Sequence, residues 1–179
     1  MIHQPIETLD RVSFYGAIND SDGFHFYFST PLGYVEIIGD ESYIYQLQFN
    51  DNIDLEGKVT LNRFPLWMSP LFHQLNKYFK GEEILFSLPL LPKGTKYQME
   101  VWQQMRLIPY GRTMTYGELA SCLGYENGAR AIGSAANKNP LPILIPCHRV
   151  IGGTGKMVGF GAGLEKKSAL LKLEHAILL

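Results

Sequence analysis

Apolar and polar positions alternate along much of the first part of the chain, the spacing expected of half-buried strands. "FHFYFSTPLGYVEIIG" (24–39) and "SYIYQLQF" (42–49) are rich in aromatic and β-branched residues, and "PLG" supplies a turn between two runs. The period then lengthens. In "WMSPLFHQLNKYFKG" (67–81), Leu71, Leu75, Tyr78 and Phe79 recur at helical spacing and Gly81 ends the pattern. A breaker-rich stretch, "SLPLLPKGT" (87–95), follows. Thr95 then caps a helix through "KYQMEVWQQMRLI", with Tyr97, Val101, Met105 and Ile108 on one face, closed by Pro109 and Gly111 of "IPYGR".

Two shorter helices come next. "TYGELASCLG" opens with Thr115 and has Glu118 three residues on, a reciprocal capping arrangement; Gly124 stops it. After "YEN", Asn127 is placed to cap a second helix, "GARAIGSAANKN". Paired short helices joined by a glycine-containing turn read either as a helix-turn-helix or as ordinary helix packing. The second helix is dominated by Ala129, Ala131, Gly133, Ser134, Ala135 and Ala136. Small side chains allow close approach to a neighbouring helix or to a nucleic-acid groove, and Arg130 projects from among them. The pattern as a whole predicts an α/β (α+β) chain. It has an N-terminal sheet-containing domain over 1–88, a linker over 89–95, and a mostly helical C-terminal domain with a helix-turn-helix over 96–179.

Charge sharpens the division. Residues 1–90 carry five Lys/Arg against twelve Asp/Glu, a net of −7, whereas residues 91–179 carry eleven against five, a net of +6. A basic half beside an acidic one suggests that one end meets a polyanion. The start of the chain lacks the basic-then-apolar pattern of a signal peptide, and no apolar run reaches the length of a membrane helix. The expectation is a cytoplasmic protein with no membrane partner. Two cysteines cannot build a disulfide framework, and with five scattered histidines they give no metal-ligand spacing, so no metal and no cofactor is expected. His25 and His73 read as surface or satisfied core histidines.

Cys147 lies in "NPLPILIPCHRVIGG", behind a buried apolar "ILI" bounded by Pro142 and Pro146. Pro146 fixes its own φ and restricts Ile145, which stiffens the backbone that aims the thiol. A thiol is mostly protonated at neutral pH and needs a base or positive surroundings to react. His148 is the nearest base, acting through a bridging water, and Arg149 adds positive charge. Glu174 sits on an apolar stripe of the last helix with Leu170, Leu171 and Ile177. There it either reaches solvent from an edge or pairs with His148, because burying a lone carboxylate is costly. "IGGTGKMVGFGAG" matches neither a phosphate loop nor a dinucleotide fingerprint; its glycines let the backbone approach a flat ligand.

Together "PCHRV", "RAIGSAANKNPLPILI", "YGRTMTYGELA" and "GLEKKSALLKLE" resemble the O6-alkylguanine-DNA alkyltransferases, also called methylated-DNA-protein-cysteine methyltransferases. The match runs from Tyr97 to Glu174. The resemblance implies repair of double-stranded DNA containing O6-alkylguanine, bound through its minor groove by a monomer with little sequence specificity. The damaged guanine would be flipped out of the stack. Cys147 matches the acceptor, His148 the water-linked base, Glu174 its orienting acid and Asn139 a brace for the segment. Arg130 matches the residue that fills the vacated place, and Tyr116 the tyrosine that rotates the nucleotide and binds the base. Ala129 and Gly133 fall on the groove-facing helix. Backbone groups at Cys147 and Val150 would read the guanine amino group, and an N–H near Gly161 would hold O6. Phe160 stands where some members have a tyrosine, so a hydroxyl contact is absent there. The thioether product is stable, so each molecule should react once. Three other readings compete with it: an alkyltransferase-like protein that recognises lesions without transfer, a Cys-His hydrolase, and a transcriptional regulator.

Overall fold

The computed structural model describes residues 14–20, 23–51 and 68–176. The chain divides into two compact units, Met1–Leu91 and Pro92–Leu179.

The first unit carries β1 (Phe14–Asp20), β2 (Gly23–Thr30), β3 (Gly33–Gly39), β4 (Ile44–Phe49) and α1 (Ser69–Phe79). The strands form an antiparallel meander in chain order. Register follows the alternation: Phe26 pairs with Ile37 and Ile37 with Leu47, all three buried. Phe28 meets Phe72 of α1 with ring centroids 4.6 Å apart. The intervening row, Tyr27–Glu36–Gln48, is polar. "PLG" forms the expected turn, with the Thr30 hydroxyl donating to the Gly33 carbonyl at 2.7 Å. Helix α1 stops before Gly81, whose φ of 82° a glycine adopts without strain. β1 carried no reading in the sequence. Pro89 and Leu91 exchange backbone hydrogen bonds with Ile44 of β4 at 2.9 Å.

The second unit contains α2 (Lys96–Met105), β5 (Met114–Thr115), α3 (Tyr116–Cys122), α4 (Ala129–Asn137), a 3-10 turn (Cys147–Arg149), β6 (Val150–Ile151) and α5 (Leu164–Leu173). Thr95 and Thr115 both form the reciprocal capping arrangement, with Gln98 and Glu118. Trp102 of α2 donates its indole N–H to the Ala135 carbonyl of α4 at 2.8 Å, and Leu119, Ala120 and Ile132 fill the space between α3 and α4. Helix α3 ends in a double bond pattern, Tyr125 N to Ala120 O and Gly124 N to Ser121 O, with Gly124 at φ 73°.

Two expectations change. Asn127 does not cap α4: it takes a left-handed φ of 58°, and Gly128 occupies the cap position without a side-chain bond. The tight turn leaves little room there, since a Cβ on Gly128 would lie 2.9 Å from Tyr125 Cβ. Helix α2 ends at Met105 rather than Ile108, where 3-10-type bonds (Leu107 N to Gln104 O, Ile108 N to Met105 O) tighten the chain before Pro109. Ile177 lies outside the described residues.

The parallel pairing of Met114 with Val150 and Thr115 with Ile151 matters most for the site. It brings the start of α3, and hence Tyr116, beside the segment that carries Cys147.

Candidate active site

Pro146 has φ −79° and ψ 61°, the inverse γ-turn, and the Cys147 N–H donates to the Ile145 carbonyl at 2.8 Å. The chain reverses within three residues, so the thiol direction is set by a ring-locked φ. Upstream, buried Ile143 sits at φ 74°, a costly conformation for a β-branched residue, worth about 1–3 kcal/mol. Burial of the Leu141–Ile145 apolar side chains and the Ile145 N to Leu141 O bond at 2.8 Å hold it there. Asn139 spans the same turn. Its amide donates to the Ile145 carbonyl at 2.8 Å and to Cys147 Sγ at 3.1 Å, while its oxygen accepts from Leu141 N at 3.0 Å.

Cys147 is buried, and burial pushes its thiol up to about 11, against the opposing effects of the Asn139 bond and the positive charge of Lys167. The resting group is therefore a neutral thiol that needs a base. Beside it, His148 Nε2 meets Glu174 Oε1 at 2.7 Å, both side chains fully out of solvent. Burial lowers the His148 pKa, Glu174 opposes that shift, and Arg149 and Lys167 reinforce it. Burial pushes Glu174 up, but His148 and Arg149 outweigh it and hold the carboxyl at about 2. The ring is thus neutral with Nε2 directed to a carboxylate, which assigns the proton to Nε2 and leaves Nδ1 as the basic nitrogen.

The sequence did not reveal how heavily Glu174 is engaged. Arg149 Nε donates to Oε2 at 2.8 Å and Nη2 to Oε1 at 3.0 Å, while Nη1 reaches the Ile108 carbonyl at 2.6 Å. The Gly111 N–H adds a bond to Oε2 at 3.3 Å. Gly111 has φ 69°, and a Cβ there would lie 2.9 Å from the Glu174 carbonyl, so "IPYGR" is a clasp on the end of α5 as well as a helix stop.

Lys167 carried no reading in the sequence. Its fully buried ammonium donates to Val150 O at 2.7 Å, Val158 O at 3.0 Å and Gly159 O at 3.3 Å. Burial lowers its pKa to about 8, opposed by Cys147. A signal was present: Lys167 precedes Leu170, Leu171 and Glu174 by three, four and seven positions, which puts it on the buried stripe. Tyr116 joins this group through its hydroxyl, which donates to Val158 O at 3.0 Å, and Lys167 Nζ lies 5.7 Å from its ring centroid. Burial, then Cys147, raises the Tyr116 hydroxyl to about 12.

The remaining sequence-predicted residues differ in exposure. Val150 is buried, Phe160 half-buried and Gly161 exposed, with the Asn137 carbonyl 3.5 Å from where a Gly161 Cβ would stand. On α4, Ala129 and Arg130 are exposed. Gly133 lies under Tyr116, and a methyl group there would meet the ring at an ordinary 3.8 Å.

Comparison with known proteins accords with this geometry. Residues 96–176 match the family described as 6-O-methylguanine DNA methyltransferase, DNA binding domain, and residues 24–92 match its ribonuclease-like domain. The chain belongs to the 6-O-methylguanine DNA methyltransferase family. As a member it is 40% identical over 153 residues to the methylated-DNA–protein-cysteine methyltransferase of Methanosarcina acetivorans, covering 82% of this chain and 95% of that protein. The protein of the same name from Haemophilus influenzae is 38% identical over 160 residues, covering 84% and 86%. Among solved structures, Mycobacterium tuberculosis OGT in complex with DNA superposes with a TM-score of 0.72 at 37% identity, covering 90% of this chain and 92% of that one.

Proposed function

We propose that this protein repairs O6-alkylguanine in double-stranded DNA by transferring the alkyl group irreversibly to Cys147, once per molecule. The observation that carries the reading is the buried Cys147 thiol, braced by Asn139 and set one residue before a His148–Glu174 pair. That constellation belongs to a unit whose α3 and α4 form a helix-turn-helix, in a family whose members are named for this transfer.

The thiol proton passes through water to His148 Nδ1, and the sulfur attacks the alkyl carbon. The S–C bond forms as the C–O6 bond breaks, and the electron pair leaves on guanine, which takes up one proton. Glu174 stabilises the imidazolium that forms. Glu174 and Asn139 are positioning residues, since neither touches the reacting carbon. The product thioether has no leaving group that a second base could release, so turnover stops.

Recognition follows from the exposed face of α4. Ala129 and Gly133 keep the helix surface low enough for a minor groove, and Arg130 extends into the duplex where the flipped nucleotide was. Tyr116 rotates the nucleotide outward and binds its base. Val150 O has a lone pair besides the one Lys167 uses, available to the guanine amino group. Phe160 and Gly161 line the opposite wall, with the Gly161 N–H facing O6. Phosphate contacts dominate, so binding has little sequence preference and weakens with salt. We read residues 1–88 as an acidic scaffold domain, 89–95 as linker and 96–179 as the reactive domain of a cytoplasmic monomer with no membrane partner and no cofactor. Among the described residues, no helix is long and apolar enough to cross a membrane. A lesion-binding protein without transfer would not need an acceptor thiol held in this way.

Intact-protein and peptide mass spectrometry after incubation with O6-methylguanine duplex tests the reading. One methyl group on Cys147, and none on a Cys147→Ala variant that still binds the lesion, is the expected result. An unmodified Cys147 refutes it.

A further inference from the structure

One buried charge in the site has no part in the transfer described above. Arg149 is 6% exposed, and its guanidinium forks both oxygens of Glu174 while its third nitrogen reaches Ile108 O. His148 uses the same carboxylate from the other side, on Oε1.

We propose that Arg149 is a positioning residue that keeps His148 neutral, and therefore able to take the thiol proton, by sharing Glu174 with it. The proposal rests on the reading of Cys147 as acceptor and His148 as its base. A histidine 2.7 Å from an unshared buried carboxylate is drawn toward the imidazolium form, and an imidazolium accepts no proton. With a guanidinium on the same carboxylate, His148 faces a nearly neutral Arg–Glu pair. It keeps the orientation that Glu174 imposes without the full negative charge.

The other charged or titratable groups around His148 divide by element. From α5 and its end come Lys167 and Glu174, and from its own turn Cys147 and Arg149. The loop after α2 brings Tyr110, whose ring centroid is 5.8 Å from the Arg149 guanidinium carbon, and α3 brings Tyr116 beside Cys147. Lys167 has the same sign as Arg149 but directs its ammonium to three carbonyls in the Val150 and Val158–Gly159 segments. Arg149, by contrast, is hydrogen-bonded to the carboxylate that His148 shares. Because Ile108 O and the Gly111 N–H grip this arrangement, the guanidinium, the carboxylate and the imidazole keep one geometry.

The test is the pH dependence of single-turnover methyl transfer from an O6-methylguanine duplex. Wild-type protein is compared with Arg149→Gln, which loses the charge, and Arg149→Lys, which keeps it without the fork. In Arg149→Gln the acid limb of the rate profile should move up by about one pH unit or more, and in Arg149→Lys it should stay near the wild-type position. A limb that stays in place in both variants while rates fall uniformly overturns the proposal, as does an equal shift in both. Should Arg149→Gln fail to fold, the imidazole NMR signals of His148 in the wild-type protein decide. A neutral ring through pH 7 and 6 is expected, and a protonated ring at pH 7 overturns the proposal. If the wild-type protein transfers no methyl group at any pH, the acceptor reading fails, and the His148 NMR titration of wild-type protein against Arg149→Gln still reports on Arg149.

Discussion

Two buried carboxylates, one in each unit, contrast an acid that closes a hydrogen-bond network with the acid we propose to serve Cys147. Glu36 on β3 is 8% exposed and accepts from His25 at 3.1 Å, Tyr27 at 2.9 Å, Gln48 at 2.8 Å and Asn50 at 3.4 Å. Glu174 is 1% exposed and accepts from His148, twice from Arg149, and from Gly111 N–H. Each is densely satisfied, and each is held below its ordinary pKa by its donors against the opposing effect of burial. Burial, bond count and pKa direction therefore do not distinguish them. The difference lies one step further out. Two of the Glu36 donors, Tyr27 and Gln48, are neutral side chains of a cross-strand row, a third, Asn50, is a neutral side chain just after β4, and the fourth, His25, is half-buried on the same sheet. The Glu174 donors include a histidine one residue from a buried thiol and an arginine that offsets its charge. An acid becomes part of a reaction through what its partner touches.

The strongest test of this contrast replaces each acid by its amide. Glu174→Gln should slow transfer to Cys147 about a hundredfold, the low end of what general-base assistance supplies, because the amide can flip His148 into the wrong tautomer and cannot stabilise the imidazolium. Glu36→Gln should leave the transfer rate within about twofold. It should destabilise the N-terminal unit by about 1–3 kcal/mol, since Tyr27 and Gln48 lose a charged acceptor. Single-turnover rates and urea melts read the two effects separately. Equal rate losses would erase the distinction.

A smaller effect separates the chemistry from DNA handling within the second unit. Arg130 is exposed on α4, so Arg130→Ala should slow repair of duplex O6-methylguanine about tenfold or more. Reaction with free O6-benzylguanine should be nearly unchanged. Parallel losses on both substrates would place Arg130 with Glu174 rather than with the DNA.

Much of this was legible in the sequence because its signals are local. Thr95 reads as a helix cap and Thr115–Glu118 as a reciprocal capping pair from spacing alone; both form, and Gln98 completes the Thr95 pair as well. Glu174 could be paired with His148 because an acid on an apolar stripe needs a partner. What was illegible depends on backbone carbonyls and long-range pairing. The burial of Lys167 follows from its place on the apolar stripe of α5, but its partners are carbonyls of Val150, Val158 and Gly159, which leave no trace in side-chain pattern. The β5–β6 pairing is two residues per strand, too short for any alternation to show, yet it brings Tyr116 beside the Cys147 segment. Asn127 misled because asparagine serves equally as a helix cap and as a left-handed turn residue; the tight Tyr125–Gly128 turn selected the second role.

Acid stability offers the finest discrimination between the two carboxylates. A carboxyl whose folded pKa lies below its unfolded value stabilises the fold above the unfolded pKa, and that stabilisation is lost as pH falls through the folded one. For Glu174, with an ordinary value of 4.5 and a folded value of about 2, the window is pH 4.5 down to 2, and the loss is at most about 3 kcal/mol. His148 adds to it with the same sign. Its folded pKa is lowered, so below its ordinary 6.5 the unfolded chain takes up a proton that the folded ring does not. The second unit should therefore weaken in two stages, first below about pH 6.5 and again below about pH 4.5, whereas Glu36 gives the first unit only the lower stage. Urea unfolding at pH 7, 5.5 and 3, followed at Trp102 in the second unit, should show the loss already at pH 5.5. In Glu174→Gln the pH 3 step should shrink. A Trp102 transition that strengthens between pH 7 and 5.5 would mean that His148 carries its proton in the folded state, and its pairing with Glu174 would then resemble an ordinary ion pair more than a poised base.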